Sequence, residues 1–410
     1  MKKQTTFTVF EHQSLRIGEK VGNVKFDEKH HEALVRFHGD DSPYFTLIHR
    51  GVKFCEYVGV IRVDNILIEV LPKADRNTED SAKEEWRKAL VGMLKVVGAF
   101  NISAPSSSTL SLKSNYILDL YFELFLKEIE YLLHFGLVKQ YRREESNQKA
   151  LKGKLQLSEH IRKNVVHKEC FYVSHTVYDH DHKIHQILLK ALKLVADINQ
   201  NPTLNVKSVL FKFPELADLK VTEKTFNKLH LSRKFKNYEN ALNIAYLLLL
   251  NYHPDLTKGK NDVLALMFNM NDLWERFVLV SLKRNLKDFK VKGQISKLFW
   301  KGEQRGQSYI RPDIVLSRDE STIVLDTKWK YIKSNIPSPE DLRQLYAYHK
   351  YYDAEKVALV YPGVEKLNKG IYQDGKEGEC AVIQIKPSSN ISEFMDSIEN
   401  HITNWIQNNS

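Results

Sequence analysis

The segment Ile323-Val324-Leu325-Asp326-Thr327-Lys328 constrains this chain more than any other. Three consecutive apolar residues, two of them β-branched, suit a strand inside a sheet. Side chains alternate along a strand, so Val324, Asp326 and Lys328 share one face, and Ile323, Leu325 and Thr327 the other. A carboxylate and an ammonium ending a buried strand are costly unless paired or bound to something. A strand over Ser308–Leu316 precedes it across the polar turn 317–321, and a hairpin register can bring Asp313 beside Asp326. Two close carboxylates repel each other, and a bound cation relieves that repulsion. Mg2+ (or Mn2+) suits them, since it takes carboxylate oxygens and keeps waters for a substrate phosphate. The Thr327 carbonyl could add an oxygen, and Lys328 could orient or deprotonate an attacking water. The plainer reading of Asp313, Asp326 and Lys328 is a structural ion-pair cluster at a strand end.

Around this segment the chain divides into three stretches. Residues 1–80 are predicted to be β-rich, with strands at Phe7–Val9, Ala33–Phe37, Tyr44–Ile48, Val58–Val63 and Ile66–Leu71, and a hairpin turn at Asp64-Asn65. Residues 81–260 are predicted to be mainly helical, over Tyr116–Glu130, His182–Ile198 and Tyr238–Leu250, with a loop at Ala104–Ser108. Residues 261–410 alternate helix and strand. There Asp272–Leu286 is an amphipathic helix, and Ser338 with Pro339 and Asp341 opens another before the strand Lys356–Tyr361. The predicted fold class is therefore multidomain α+β and α/β, the last stretch holding the carboxylates on a sheet.

A net charge of +10 and a pI near 9.1 favour polyanions, double-stranded DNA among them. Two segments mix cations with aromatics: Lys139–Arg143, continuing to Lys149, Lys152 and Lys154, and Arg233–Tyr238. Such mixtures can hold phosphates and stack bases, or the aromatics can simply anchor helices. His180 and His182 tempt a metal reading, but a polar helix start explains them better. No apolar run reaches the roughly 18 residues of a membrane span. With nothing arguing for export and 3 widely spaced Cys, a cytoplasmic location is expected. No Gly-x-x-x-x-Gly-Lys-Ser/Thr occurs, so any nucleotide that drives the protein must bind another subunit.

Pro312-Asp313 followed by Asp326-Thr327-Lys328 resembles the PD-(D/E)xK nuclease superfamily. That resemblance implies a restriction-endonuclease-like core, a mixed sheet flanked by helices, that cuts phosphodiester bonds with a divalent metal. Glu275, in Asn271–Phe277, matches the acidic residue of the first core helix, a catalytic and metal-binding position in many members. Gln344 and Tyr348 resemble the Gln-x-x-x-Tyr element that follows the catalytic Lys. Read from residues alone, Glu275 is a solvated helix charge and Tyr348 a packing residue.

A narrower resemblance, to McrC, runs through Tyr57–Ile61, Ile68–Lys73, Phe135–Tyr141, Leu151–Leu155, Arg311–Asp313 and Asp326–Lys330. It implies the nuclease subunit of a type IV-like restriction complex cutting modified, methylcytosine-containing DNA. It also implies an McrB-like AAA+ GTPase partner, stimulated by this chain, so that GTP acts through the partner. In relatives an Asn-Arg often opens the middle helix, where this chain has Lys183-Ile184-His185-Gln186. The β-rich amino-terminal domain is then expected to dock onto the ring, with Arg62, Lys73 or Arg76 facing its nucleotide sites. Two other readings stand beside this one: a self-sufficient restriction or repair nuclease, and a non-catalytic adaptor that regulates an AAA+ ring.

Overall fold

The computed structural model of the protein describes all residues except 1–4, 39–41, 64, 74–79, 98–116, 230, 255–261, 304–305, 320, 331, 333–335, 365, 374–377 and 408–410. Arg76 and the loop Ala104–Ser108 lie outside the described residues. Packing divides the chain into two units, residues 1–100 with 254–410, and residues 101–253.

The first unit begins with β1 (Thr5–Phe10), β2 (Tyr57–Val63) and β3 (Ile66–Leu71). β1 runs parallel to β3, and β2 and β3 form an antiparallel hairpin in which Val63 pairs with Ile66. That pairing leaves two residues for the turn, as expected of Asp64-Asn65, although Asp64 lies outside the described residues. Every residue of β3 is buried, Glu69 included. Arg87, on α1 (Asp80–Val97), meets that carboxylate at 2.6 Å and makes its burial tolerable.

β4 (Asp262–Asn269) adds antiparallel to β2, from Val263 opposite Val63 to Asn269 opposite Tyr57. The approach is so close that a Cβ on Gly59, at φ +136°, would stand 2.1 Å from the Leu266 carbonyl oxygen. Hence the packing units cut across the boundaries expected near residues 80 and 260. The amino-terminal strands and the carboxy-terminal stretch share one sheet.

Chain order then gives α2 (Met270–Asn285), β5 (Lys290–Gly293), β6 (Lys297–Lys301), β7 (Gln307–Ile310), β8 (Ile314–Arg318), β9 (Ser321–Thr327) and α3 (Pro339–Tyr352). After these come β10 (Lys356–Pro362), β11 (Lys366–Ile371), β12 (Glu379–Ile385) and α4 (Ile391–Gln407). A six-stranded mixed sheet runs β5-β8-β9-β10-β12-β11. Its centre, β9-β10-β12, is parallel, and the outer pairings are antiparallel. Val324 of β9 packs with Val315, Val357 and Leu359 against Leu345, Tyr348 and Tyr352 of α3. Helices α2 and α4 pack on each other through Trp274, Phe277 and Phe394, and both contact the sheet. The start of α3 is as expected, with Ser338 Oγ accepting from Asp341 N and Pro339 in the first turn.

Two expectations need correction, and a third, the mainly helical middle stretch, holds with an addition. Ala33–Phe37 is not a strand but part of the helix Glu28–His38, whose buried Ala33 and Leu34 make one helical face with half-buried Phe37. Ser308–Leu316 is not one strand. Pro312, which has no N–H to donate, breaks it into β7 and β8, which belong to different sheets. The middle stretch is not only helical. In the second unit, nine-residue strands Gln140–Gln148 and Phe171–Asp179 pair antiparallel beside helices Ile117–Phe135, Lys183–Ile198 and Glu239–Leu250.

Candidate active site

The site is built by register. Ile314 stands opposite Leu325, so Asp313, one residue beyond the last pair, falls opposite Asp326. Asp313 Oδ2 accepts hydrogen bonds from Thr327 N at 2.7 Å and Thr327 Oγ1 at 2.8 Å, which ties the Pro-Asp segment to the end of β9. Asp326 is only 1% exposed. Burial first, and the nearby Asp313 charge second, push its carboxyl up to about 6. Lys328 Nζ lies 2.8 Å from Asp326 Oδ2. That ion pair is what holds the buried Oδ2, which accepts no further hydrogen bond. Burial works to lower the Lys328 ammonium, but Asp326 and then Asp313 outweigh it and raise it. The pair therefore stays charged at neutral pH. Its backbone is fixed by Lys328 N donating to Val360 O at 3.0 Å.

Glu275, on α2, is half-buried and is raised by burial first and by Asp313 second. Gln294 Nε2 donates to its Oε1 at 2.7 Å, while Gln294 N donates to Asp313 O at 2.9 Å. Glu275 thus reaches Asp313 through Gln294. Among the described residues no three His, Cys, Asp or Glu side chains are grouped so as to hold a metal ion. A divalent ion would fit here on two opposed carboxylates, with Asp326 Oδ2, now paired only with Lys328, among their oxygens, and on the Thr327 carbonyl.

Gln344 Nε2 donates to Tyr348 Oη at 2.8 Å, and Tyr348 Oη donates to Arg311 O at 3.1 Å. Burial and then Asp326 hold that phenol well above its usual range, so it keeps its proton. The two residues anchor the backbone just before Pro312-Asp313. With Ser296, Tyr309, Ile310 and Arg311 they line a cleft of about 680 Å³.

Sequence reasoning missed Gln294, Glu11 and Asp341. Asp341 accepts from Tyr361 Oη at 3.0 Å, and Lys330 pairs with it. Glu11 Oε1 accepts from Trp329 Nε1 at 2.6 Å and from Lys73 N at 2.8 Å, fixing the residue after Lys328. Nothing in the local pattern marks a contact 318 residues apart. Burial pushes the Glu11 carboxyl from 4.5 to about 7, against the smaller pull of those hydrogen bonds. A carboxyl raised in the folded state adds stability below its unfolded value and loses it as pH rises through its folded value. Glu11→Gln should therefore match the wild type at about pH 4 and be roughly 1–3 kcal/mol more stable at about pH 8. Thermal unfolding at both pH values checks this, and an equal difference at both would remove the ionisation argument.

The second unit changes two expectations. Phe235 and Tyr238 are each 2% exposed and anchor a 3-10 turn, leaving no face for bases. Arg142 is held by Asp179 and Glu144, while Tyr141 and Arg143 are exposed. His182 Nε2 lies 2.9 Å from Val138 O, and His185 lies 2.8 Å from His180 O and 3.1 Å from Tyr238 Oη. Burial, then His182, drives His185 down to about 3. His182 stands at the N-cap of the helix Lys183–Ile198, the polar helix start expected, and it is buried and packed on His185.

A family model described as McrBC 5-methylcytosine restriction system component matches residues 52–362. No curated protein matches the chain. Among solved structures, the chain is similar to one in the refined half-complex from the tetradecameric assembly of Thermococcus gammatolerans McrB AAA+ hexamers with bound McrC. There the identity is 20%, covering 98% of this chain and 100% of that one, with a TM-score of 0.75. A chain of the Thermococcus gammatolerans McrBC complex matches at 19% identity over 70% of this chain and 89% of that one, with a TM-score of 0.51.

Proposed function

The chain belongs to the McrBC 5-methylcytosine restriction system component family, and from that premise we propose that it is the Mg2+-dependent DNA endonuclease subunit of a GTP-driven complex that cuts methylcytosine-containing DNA. The observation that carries this reading is Asp313 facing Asp326 across β8 and β9, with Lys328 on the Asp326 carboxylate.

Asp313, Asp326 and the Thr327 carbonyl would hold Mg2+ or Mn2+, with Glu275 behind them through Gln294. When bound, the ion supplies an activated water and neutralises charge on the phosphate. Lys328 keeps its proton beside Asp326, and its ammonium orients the attacking water and stabilises the negative charge that builds on the phosphate. Thr327 holds Asp313 in place by two hydrogen bonds, and Tyr348 with Gln344 holds the backbone at Arg311. Together these contacts support reading the core as a PD-(D/E)xK centre of the kind the sequence resembles.

The chain has no phosphate-cradling loop, so the nucleotide acts through an AAA+ partner of the McrB kind. Docking by residues 1–80 as a separate module is weakened by the shared sheet. Removing them would strip β4 of its partner strand and Trp329 of Glu11. Lys73 already stands over the Phe10 ring at 5.3 Å. The second unit is the better docking module. Its helix Leu157–Asn164 leads with exposed Leu157 and Ile161, followed by exposed Val165 and Val166. Leu157→Asp with Ile161→Asp in the full chain should lower stimulation of the partner's GTPase by about tenfold or more, a loss of roughly 1.4 kcal/mol in docking. Undiminished stimulation would return the docking role to the first unit. No helix among the described residues is long and apolar enough to cross a membrane.

The test of the reading is cleavage of methylated and unmethylated plasmid by the chain, with and without an AAA+ partner and GTP. Cutting is expected only of methylated plasmid with partner, GTP and Mg2+. Equal cutting of both plasmids by the chain alone would instead mark a self-sufficient nuclease.

A further inference from the structure

We propose that the two-stranded arm β6–β7 engages duplex DNA, setting Trp300 and Tyr309 against bases beside the phosphate to be cut; this rests on the nuclease reading above. Every residue of β6 is exposed. Trp300 is 58% and Tyr309 59% exposed, with Leu298 and Phe299 also open to solvent. A solvated two-stranded ribbon has little stability of its own, and large apolar side chains gain nothing there without an occupant.

The base of the arm is nevertheless pinned. Phe299 packs on Tyr351 of α3 with ring centroids 4.8 Å apart. Lys297 Nζ donates to Tyr351 O at 3.0 Å and stands 4.5 Å above the Tyr352 ring. Between Leu298 and Trp300 the register slips by a bulge, so Leu298 pairs with Tyr309 and Trp300 with Ser308. Side chains alternate, so the slip puts Tyr309 and Trp300 on opposite faces of the ribbon. An arm with an aromatic on each face has no core side.

Charge and continuity name the occupant. Residues 290–311 carry six Lys or Arg and a single acidic residue, Glu303. Cations of that density hold phosphates, and apolar side chains beside them can wedge between or stack on bases. The arm runs directly through Ile310 and Arg311 into Pro312-Asp313. Its Tyr309 lines the cleft shared with Arg311, Gln344 and Tyr348. A strand lying in that cleft toward Asp313 passes under the arm.

The test uses the full chain in its AAA+ complex and a short methylated duplex carrying 2-aminopurine near the cut, with Ca2+ replacing Mg2+ to hold the duplex uncut. Trp300→Ala with Tyr309→Ala should weaken duplex binding by roughly tenfold and abolish the 2-aminopurine signal of unstacking. Trp300→Phe in place of Trp300→Ala should restore much of both. Stimulated GTPase and thermal unfolding should stay at wild-type values, since both side chains are exposed. Wild-type binding and signal in the double variant would overturn the proposal. So would lost GTPase stimulation with duplex affinity intact, because that marks a protein-docking arm. Asp326→Asn runs alongside: continued cutting by that variant in Mg2+ would sink the nuclease reading itself, whatever the arm does.

Discussion

Asp326→Asn is expected to lower cleavage by roughly three orders of magnitude, the scale for losing one strong electrostatic stabiliser of the transition state. The same change should leave the fold intact. Asp326 is a buried carboxyl whose folded value, about 6, lies above its ordinary 3.8, chiefly through burial and then through Asp313. A group raised in this way stabilises fully below its unfolded value and loses that contribution as pH rises through its folded value. Near pH 8 its ionised form thus costs the wild type on the order of 2–3 kcal/mol. The amide removes that cost but leaves Lys328 without its counter-charge, offsetting part of the gain. Since Lys328 is 28% exposed, its ammonium can turn to water. Unfolding temperature near pH 8 should therefore equal or exceed the wild type's, with cutting lost. Wild-type cutting would remove Asp326 from the site, and a collapsed unfolding temperature would make it structural.

Lys328→Ala should lose cutting by about two to three orders of magnitude while keeping divalent-ion affinity, because an ammonium does not ligate a cation. Lys328 and a bound ion compete for the same Asp326 carboxylate, so removing the side chain leaves the ligands in place. Without Lys328 the Asp326 carboxyl loses a neighbour that lowers its pKa. The pH at which the ion begins to bind should accordingly move upward. Calorimetry across pH reads both effects. Lost ion affinity at about pH 8 would assign Lys328 a structural role in place of the catalytic one.

How much of this was legible follows from which interactions are local. The apolar run of β9 and the polar turn before it mark a hairpin whose register carries Asp313 to Asp326. Arg318 pairs with Ser321, and Asp319 takes a left-handed φ of 52°, as so tight a turn requires. The start of α3 was readable because a cap acts within one helical turn. By contrast, Ala33–Phe37 is too short for alternation to separate strand from helix. The strand Gln140–Gln148 carries only Tyr141 among polar and charged residues and is recognisable only through its partner Phe171–Asp179. β4 joins β2 across nearly 200 residues, and Glu11 reaches Trp329 from the opposite end of the chain. Such partners have no local signature, which is why the sequence suggested a detachable amino-terminal module where the structure has a shared sheet.

Everything turns on whether the opposed carboxylates hold a divalent ion, and Mn2+ binding to the full chain without its partner tests that most directly. Calorimetry with Mn2+ near pH 8 should show binding by the wild type and by Lys328→Ala, and its loss in both Asp313→Asn and Asp326→Asn. Mn2+ bound with unchanged affinity by the two carboxylate variants would contradict the assignment of this site.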